Sequence, residues 1–143
     1  DASKKISIEA RLDDEPILHF KYFSHLKECV DEYLKKYEYA EKQGMFKALQ
    51  YTKIQHYPKG GGFFFWHSER AGMPLYVSRH LVFMTYLNDV KDDGQTEFYY
   101  QRLKIKPEKG LTLIWPADWT FTHRGIASNS EDKYIVTGWL NLV

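Results

Sequence analysis

The sequence has a single cysteine, almost no net charge and no long apolar run, and each of these shortages excludes a class of protein. Cys29 alone rules out an internal disulfide framework and leaves too few thiols for a Cys-rich zinc module. Lys and Arg number 20 and Asp and Glu 19, a formal charge of +1, so we expect no nucleic-acid partner. No apolar run reaches the roughly 18–20 residues that span a bilayer, so we expect no membrane partner.

The same shortages indicate a location. A lone thiol suits a reducing compartment, and the N-terminal sequence DASKKISIEARL lacks the apolar region of a signal peptide. We therefore expect a soluble, cytoplasmic protein. Because the sequence starts at Asp1 and not at Met, it is also compatible with removal of a targeting segment. No feature of the sequence indicates an oligomeric state.

Aromatic residues, in contrast, are abundant. Trp, Tyr and Phe make up 17% of the 143 residues, and most lie after position 50 in short alternating runs that favour strands. The hydrophobic fraction of 43% is enough for the core of one domain. We predict a single domain over residues 1–143, with a helical flank at about 15–45 and a β core at about 48–143.

One amphipathic helix is predicted before the strands, from about Phe23 to Gln43. Ser24 is the expected N-cap, and Gly44 is expected to close the C-terminal end. The apolar stripe of this helix, with spacings of three and four residues, consists of Leu26, Val30, Tyr33, Leu34 and Tyr37.

Six short strands are predicted after the helix. They are Leu49–Tyr57, Phe63–Glu69, His80–Asn88, Glu97–Tyr100, Leu111–Trp115 and Tyr134–Leu142. The segments between them are rich in turn-forming residues and suit antiparallel pairing. The pattern predicts a mainly β (α+β) fold, a β-sandwich or open barrel with a flanking helix, and argues against a parallel α/β sheet.

A metal site is the chemistry that single residues favour. His67 and Glu69 are two residues apart in the predicted strand, so their side chains project from the same face. A second histidine from a distant strand would complete the two-histidine, one-carboxylate set of non-haem Fe(II) oxygenases. His123 is the best candidate because it follows the strand Leu111–Trp115 and a short loop. A His-x-Glu pair by itself is equally compatible with a strand end at the surface.

Longer segments of the sequence carry a resemblance to a known family. They are IQHYPKGGGFFFWHSE, RHLVFMTYLNDVKDDGQTEF, LKIKPEKGLTLIWPADWTFTHRG and KYIVTGWL. Their shared pattern is a tyrosine ten residues before His-x-Glu, a Tyr-Leu-Asn strand, Gly-x-Thr-x-Phe, Pro-x-x-Gly before an apolar strand, a distal His-x-Gly, and a basic residue ten positions later. In order and spacing, over about residues 50–142, the chain resembles the prolyl 4-hydroxylase-like branch of the Fe(II)/2-oxoglutarate dioxygenases.

This resemblance implies a double-stranded β-helix, the cupin-like jelly roll, in which His67, Glu69 and His123 are the catalytic ligands of Fe(II). It implies 2-oxoglutarate as cosubstrate, O2 as oxidant and ascorbate as reductant, with hydroxylation of a C–H bond and release of succinate and CO2. The leading expected substrate is a peptide or protein that contains proline. A free amino acid or another small molecule is the alternative.

The last predicted strand supplies the expected contacts to 2-oxoglutarate. Alternation places Lys133, Ile135, Thr137 and Trp139 on one face, which we expect to line the barrel. The family's basic residue falls on Lys133, so the resemblance implies that its amine binds the far carboxylate of 2-oxoglutarate. Thr137 is a further expected contact.

Two tyrosines complete the set of expected cosubstrate contacts. Tyr57 and Tyr86 match tyrosines of the family that contact 2-oxoglutarate. Each is also compatible with a core tyrosine whose hydroxyl has a partner within the protein.

Two positions depart from the usual residues of the family. Glu69 stands where most relatives have Asp, and its extra methylene changes how the carboxylate meets the metal, although glutamate remains a competent oxygen ligand. Asp93 stands where relatives often have glycine before Gly94, and we expect this change to be tolerated if Asp93 has no positive φ.

Two other functions fit the same residues. The three ligands also suit a catalytic zinc ion in a hydrolase, although the sequence has no His-Glu-x-x-His motif and leaves Lys133 without a role there. The other is a noncatalytic jelly roll that binds a partner through its aromatic face. Production of succinate that is lost in His67→Ala would separate the oxygenase from both.

Overall fold

The computed structural model describes residues 3–143, which fold mostly into antiparallel β-strands with one long α-helix. The strands are β1 (Ile8–Arg11), β2 (Phe46–Lys47), β3 (Lys53–Tyr57), β4 (Arg79–Tyr86), β5 (Thr96–Phe98), β6 (Leu103–Ile105), β7 (Thr112–Pro116), β8 (His123–Gly125) and β9 (Lys133–Leu142). The α-helix is α1 (Pro16–Lys36), and 3-10 helices cover Leu12–Asp14, Glu38–Gln43 and Trp119–Phe121. The predicted mainly β fold with a flanking helix is confirmed.

The strands form two sheets that enclose an apolar interior. The larger sheet has the order β1-β3-β9-β4-β7, with β2 paired to β9, and the smaller sheet has the order β6-β5-β8. The buried side chains between the sheets are Tyr57, Val82, Met84, Tyr86, Phe98, Trp115, Ala117, Ile135 and Trp139. On its other side the larger sheet packs against α1, through a second cluster of Leu26, Leu81, Phe83 and Leu140.

Strand β9 lies in the middle of the larger sheet and organises it. It pairs with β3, where Lys133 lies opposite Tyr57, and with β4, where Ile135 lies opposite Tyr86. The face predicted to line the interior does so, since Lys133, Ile135, Thr137 and Trp139 all border one internal cavity. Leu140, on the opposite face, belongs to the cluster under α1.

The helix begins earlier than predicted. Its first residue is Pro16, because the fixed φ of proline suits the first helical turn, so the predicted start at Phe23 is wrong. Ser24 consequently lies inside the helix and is not its N-cap. The Ser24 hydroxyl instead donates a hydrogen bond to the carbonyl oxygen of Phe20 at 2.8 Å.

The helix also ends before the predicted boundary at Gln43. The α-helix stops at Lys36, and Glu38–Gln43 continues as a 3-10 helix with no buried side chain, so no packing holds α geometry there. Gly44 closes this 3-10 segment with a φ of 136°, not the α-helix itself.

The predicted strand Phe63–Glu69 is wrong as a strand. With the residues that the structure describes, the segment makes only isolated bridges, between Lys5 and Phe63 and between His67 and His123. Strand β3 begins at Lys53 and not at Leu49. Four strands, β1, β2, β6 and β8, are absent from the prediction because they have only two to four residues, too few to show an alternating pattern. Among the described residues, no helix is both long enough and apolar enough to cross a membrane.

Candidate metal centre

The side chains of two near neighbours, His67 and Glu69, meet the side chain of His123, which lies 54 residues after Glu69 at the start of β8 in the smaller sheet. His67 and His123 exchange two backbone hydrogen bonds, His67 N to His123 O at 3.0 Å and His123 N to His67 O at 2.9 Å. The backbone N–H of Glu69 donates to the carbonyl oxygen of Ala117 at 3.2 Å. The irregular segment after β3 is thus fixed at both residues that were predicted as ligands.

The potential ligand atoms of these side chains converge on one point. The Oε1 atom of Glu69 lies 3.4 Å from Nε2 of His67 and 3.0 Å from Nε2 of His123. All three ligand atoms lie within 4.8 Å of one another. Ligand atoms on one face of an octahedral ion, at bonds of about 2.1 Å, are about 3 Å apart, so the spacing fits a metal site.

The orientation of the two imidazoles supports the same conclusion. Nδ1 of His67 lies 2.9 Å from the carbonyl oxygen of Phe65, and Nδ1 of His123 lies 2.8 Å from that of Phe121. A carbonyl oxygen can only accept, so Nδ1 carries the proton in both rings and the lone pair of a neutral imidazole is on Nε2. Two lone pairs and a carboxylate oxygen therefore face one another, an arrangement that requires a cation or additional protons between them.

The site favours the charged form of the Glu69 carboxylate when a proton or another cation lies between it and the histidines. Burial would raise its pKa, but hydrogen bonds and positive charge at His123 and His67 outweigh burial and keep the pKa well below its usual value. The ring of Phe63 stacks on His67 with centroids 3.9 Å apart, and the ring of Phe98 lies 5.8 Å from that of His123. The centre therefore has a charged ligand inside an apolar wall, where electrostatic interactions are stronger than in water.

A cavity of about 90 Å³ adjoins the centre, with room for a few water molecules or part of a small ligand. His67, Glu69 and His123 border it, and so do all four of the predicted 2-oxoglutarate contacts, Tyr57, Tyr86, Lys133 and Thr137. The structure thus brings every sequence-predicted site residue to one cavity. The roles of these residues as ligands of iron or cosubstrate stay predictions.

Lys133 is the most unusual of the cavity residues. Its side chain is 4% exposed, and Nζ donates to the carbonyl oxygens of Gly94 at 2.9 Å and Ile126 at 3.4 Å. Within residues 3–143 no acidic side chain forms an ion pair with it. Burial lowers the pKa of its ammonium to about 8, and in the described part of the chain no carboxylate neutralises this buried cation.

The other three predicted contacts have partners within the protein. The Tyr57 hydroxyl donates to Oε1 of Gln55 at 2.9 Å, and the Thr137 hydroxyl donates to the carbonyl oxygen of Phe83 at 3.1 Å. The Tyr86 hydroxyl lies 2.6 Å from Oγ1 of Thr96, and burial raises its pKa to about 12. Both tyrosines are core residues as well as cavity residues, which agrees with the alternative interpretation of each as a core tyrosine with a partner within the protein.

Asp93 does not meet the condition under which we expected it to be tolerated in place of glycine, because its φ is positive. Asp93 has a φ of 56° and Gly94 a φ of 79°, so aspartate adopts a left-handed conformation where relatives often have glycine. Aspartate is one of the few residues that tolerate this conformation. The turn matters to the site because the Gly94 carbonyl oxygen accepts the Lys133 hydrogen bond.

Comparison with known families agrees with the geometry. A family model described as the 2OG-Fe(II) oxygenase superfamily matches residues 52–141, more than half of the chain. The chain belongs to the 2OG-Fe(II) oxygenase superfamily. The predicted class, a 2-oxoglutarate-dependent dioxygenase, is therefore confirmed, and membership implies Fe(II), 2-oxoglutarate and O2. No curated protein sequence matches the chain.

Solved structures of prolyl hydroxylases share the fold of this oxygenase. A viral collagen prolyl hydroxylase from Paramecium Bursaria Chlorella virus-1, in complex with 2OG, has a TM-score of 0.77 and 18% identity, covering 98% of this chain and 81% of that one. A Trichoplax adhaerens prolyl hydroxylase, in complex with a hypoxia inducible factor peptide fragment, has a TM-score of 0.76 and 20% identity, covering 99% of this chain and 65% of that one. A Pseudomonas putida prolyl-4-hydroxylase has a TM-score of 0.75 and 14% identity, covering 100% of this chain and 75% of that one. The predicted prolyl 4-hydroxylase-like jelly roll is confirmed.

Two residues that contact Glu69 were not predicted as site residues from the sequence. Nε1 of Trp139 donates to Oε2 of Glu69 at 3.1 Å, and Nη1 of Arg79 donates to the backbone carbonyl oxygen of Glu69 at 3.0 Å. Trp139 could have been predicted, because it lies on the same face of the last strand as Lys133. The sequence around Arg79 gives no indication of a role at the site, because an arginine at the start of a strand is ordinarily exposed to solvent.

Proposed function

We propose that this oxygenase hydroxylates prolyl residues in a peptide or protein, using Fe(II) and 2-oxoglutarate and releasing succinate and CO2. The observation that carries the proposal is the pairing of two features in one cavity. One is the convergence of His67, Glu69 and His123, and the other is the buried, unneutralised cation of Lys133. The first suits a ferrous ion and the second a dicarboxylic acid.

The residues of the centre fit the iron that the family requires. His67, Glu69 and His123 would hold it with two neutral nitrogens and one carboxylate, the ligand set of non-haem Fe(II) oxygenases. When bound, the iron supplies oxygen activation coupled to oxidative decarboxylation of the cosubstrate. The chain itself presents Oε1 of Glu69 and fixes both histidines through their Nδ1 hydrogen bonds.

Lys133 would bind the carboxylate of 2-oxoglutarate that lies away from the metal. A charge-assisted hydrogen bond in a desolvated pocket is about twice as strong as a neutral one. An unpaired buried ammonium is costly, and an incoming carboxylate removes that cost. Lys133 therefore favours a dianionic cosubstrate over a neutral molecule of the same size. Tyr57, Tyr86 and Thr137 would shape the same pocket.

A peptide substrate is supported by an exposed aromatic group beside the centre. Trp66, Tyr99, Tyr100 and Trp119 form a continuous series of edge-to-face contacts, with centroid separations of 5.1, 5.0 and 5.8 Å. Tyr99, Tyr100 and Trp119 are each more than half exposed. Trp66 directly precedes His67 in the chain, so one end of the series lies next to the segment that carries a predicted metal ligand. We call these four residues the aromatic ladder.

Exposed aromatic faces suit extended, proline-containing segments, which pack on them with little loss of conformational entropy. The Trichoplax adhaerens relative is described in complex with a peptide fragment, and the viral relative as a collagen prolyl hydroxylase. Both descriptions support a peptide in preference to a free amino acid or another small molecule. We also propose ascorbate as the reductant that keeps the iron ferrous.

A single assay tests the proposal. Purified protein with Fe(II), ascorbate, O2 and 2-oxoglutarate is incubated with a panel of proline-containing peptides and free amino acids, and succinate and product mass are measured. We expect succinate together with a gain of one oxygen atom on a peptide proline. His67→Ala and Glu69→Ala should abolish both, and Lys133→Ala should raise the 2-oxoglutarate requirement.

The remaining outcomes separate the alternatives. Oxygen added only to a free amino acid would keep the chemistry and overturn the peptide substrate. Zinc-dependent hydrolysis without succinate would indicate a hydrolase. Partner binding that is unaffected by His67→Ala, with no turnover under any condition, would indicate a noncatalytic module.

A further inference from the structure

The second carboxylate oxygen of Glu69 has its own binding site within the protein. Whereas Oε1 faces the two histidines, Oε2 accepts a hydrogen bond from the indole Nε1 of Trp139 at 3.1 Å. The guanidinium of Arg79 approaches the same oxygen, with Nη1 at 3.7 Å from Oε2. The two oxygens of one carboxylate thus point to two different sets of partners.

Trp139 and Arg79 are themselves held rigidly. The guanidinium of Arg79 lies over the indole ring of Trp139, 3.7 Å from its centroid, and both side chains are buried. Nε of Arg79 donates to Oε1 of Gln50 at 2.9 Å, and Nη1 donates to the backbone carbonyl oxygen of Glu69 at 3.0 Å. The guanidinium therefore stabilises both the indole and the backbone of the residue that the indole orients.

A glutamate ligand needs such support more than an aspartate does. Its side chain has one additional rotatable bond, so it loses more conformational entropy when it is fixed at a metal. Its carboxylate can also bind a metal through one oxygen or through both. A donor that occupies Oε2 restricts the carboxylate to one-oxygen coordination through Oε1.

We propose that Trp139 and Arg79 are positioning residues that hold Oε2 of Glu69, so that a glutamate presents a single oxygen to the metal between His67 and His123. This inference rests on the metal site of the proposed function. It assigns a role to two residues that are neither predicted metal ligands nor predicted cosubstrate contacts. Partners of this kind typically change metal affinity or activity by about 10–100-fold when they are removed.

Co(II) binding to the purified apo protein tests the inference without turnover. Affinity is measured by titration, and the visible ligand-field spectrum of Co(II) reports the number and type of ligand atoms. Trp139→Phe removes the indole N–H and keeps an aromatic ring. We expect Co(II) binding to weaken by about 10–100-fold, with a changed spectrum from altered carboxylate coordination.

Trp119→Phe is the matched control. Trp119 is 65% exposed, does not border the cavity, and contacts the ring of Tyr100 instead of a predicted metal ligand. The same loss of ring size there should leave the Co(II) affinity and spectrum unchanged. Thermal unfolding of all variants shows whether each one is folded before its affinity is compared.

A double-mutant cycle with Glu69→Asp isolates the proposed contact. Aspartate is shorter by one methylene, so we expect its carboxylate not to reach the indole and Trp139→Phe to have no further effect in the Glu69→Asp background. An additive effect in that background, or an unchanged spectrum and affinity in folded Trp139→Phe, would overturn the positioning role and leave the proposed function intact. Failure of the parent protein to bind Co(II) would overturn both.

Discussion

The two faces of β9 belong to the same strand but are built for different purposes. The inner face presents Lys133, Thr137 and Trp139, whose polar atoms all have specific hydrogen-bond partners around the cavity. The outer face presents Gly138 and Leu140 to the cluster beneath α1, where the contacts are apolar. Because side chains alternate along a strand, the ten residues of β9 contribute one face to the site and the other face to the packing of α1.

The comparison separates two kinds of constraint. On the inner face the charge and the direction of donors matter, and the fold carries a buried ammonium that no acidic side chain within residues 3–143 offsets. On the outer face only shape matters, because the buried rings and aliphatic chains interlock at close-packed density. Substitutions on the inner face should therefore change ligand binding with little loss of stability, and substitutions on the outer face should do the reverse.

Lys133→Met provides the largest expected contrast. Methionine keeps most of the volume of the stem and removes the charge, so the affinity for 2-oxoglutarate should fall by about 2–5 kcal/mol. The free energy of unfolding should rise, because an unpaired buried cation is removed from the fold. Titration of Co(II)-loaded protein with 2-oxoglutarate and urea denaturation measure the two effects. Unchanged affinity would show that the cosubstrate binds elsewhere.

Gly138→Ala should produce the opposite result on the opposite face. A Cβ atom at this position would overlap the Phe83 ring, lying 3.0 Å from Cε2 and closer still to Cζ. Overpacking of this kind costs about 1–3 kcal/mol of unfolding free energy. Co(II) affinity at pH 7 should stay at the parent value. A variant that loses metal binding while its stability is unchanged would refute the division between the faces.

The next prediction concerns the pH dependence of 2-oxoglutarate binding, which Lys133 should control. Burial lowers the pKa of this ammonium to about 8, so above that pH the free protein loses the charge that binds 2-oxoglutarate. Affinity should fall by about tenfold per pH unit above 8, with little change below it.

Stability should move in the other direction over the same range. The unfolded chain binds this proton more tightly than the folded protein, so the contribution of Lys133 makes unfolding free energy rise with pH between about 8 and 10.5. Lys133→Met is the control, since it lacks the titrating group and should lack this contribution. Equal pH profiles for the parent and Lys133→Met would contradict the assignment.

The sequence predicted best what depends on long regular segments. The strands predicted at His80–Asn88 and Tyr134–Leu142 agree with β4 and β9 to within two residues at each end, since eight to ten residues suffice to show which positions are apolar. Strands β1, β2, β6 and β8 were not predicted, because their pairing with neighbouring strands, more than their own sequence, decides that they form. The start at Pro16 was missed because the apolar stripe used for prediction begins later.

The predicted site residues do lie around one cavity, but the local structure assumed for His67 and Glu69, a regular strand, is wrong. His67 and Glu69 do share one side of the chain, but an irregular segment tied to His123 and Ala117 positions them, not a strand. The contacts of Trp139 and Arg79 with Glu69 could not be predicted. They join residues 70 and ten positions apart, and only the assembled sheet brings them together.

The smallest expected effect lies on neither face of β9, at the aromatic ladder. Tyr100 is 57% exposed and contacts Tyr99 and Trp119 edge to face. If the ladder binds a peptide, Tyr100→Ala should raise the KM for peptide by about 0.5–1.5 kcal/mol in free-energy terms, the typical strength of one aromatic contact. The 2-oxoglutarate requirement and the unfolding free energy should both stay at the parent values.

Tyr39→Ala is the matched control, since Tyr39 is 69% exposed and lies in the 3-10 helix Glu38–Gln43, outside the ladder. It should leave the peptide KM unchanged. Equal peptide KM values for the parent, Tyr100→Ala and Tyr39→Ala would remove the ladder from the substrate site. A rise for both variants would indicate a general surface effect, because Tyr39 has no ring contact with the ladder among the described residues.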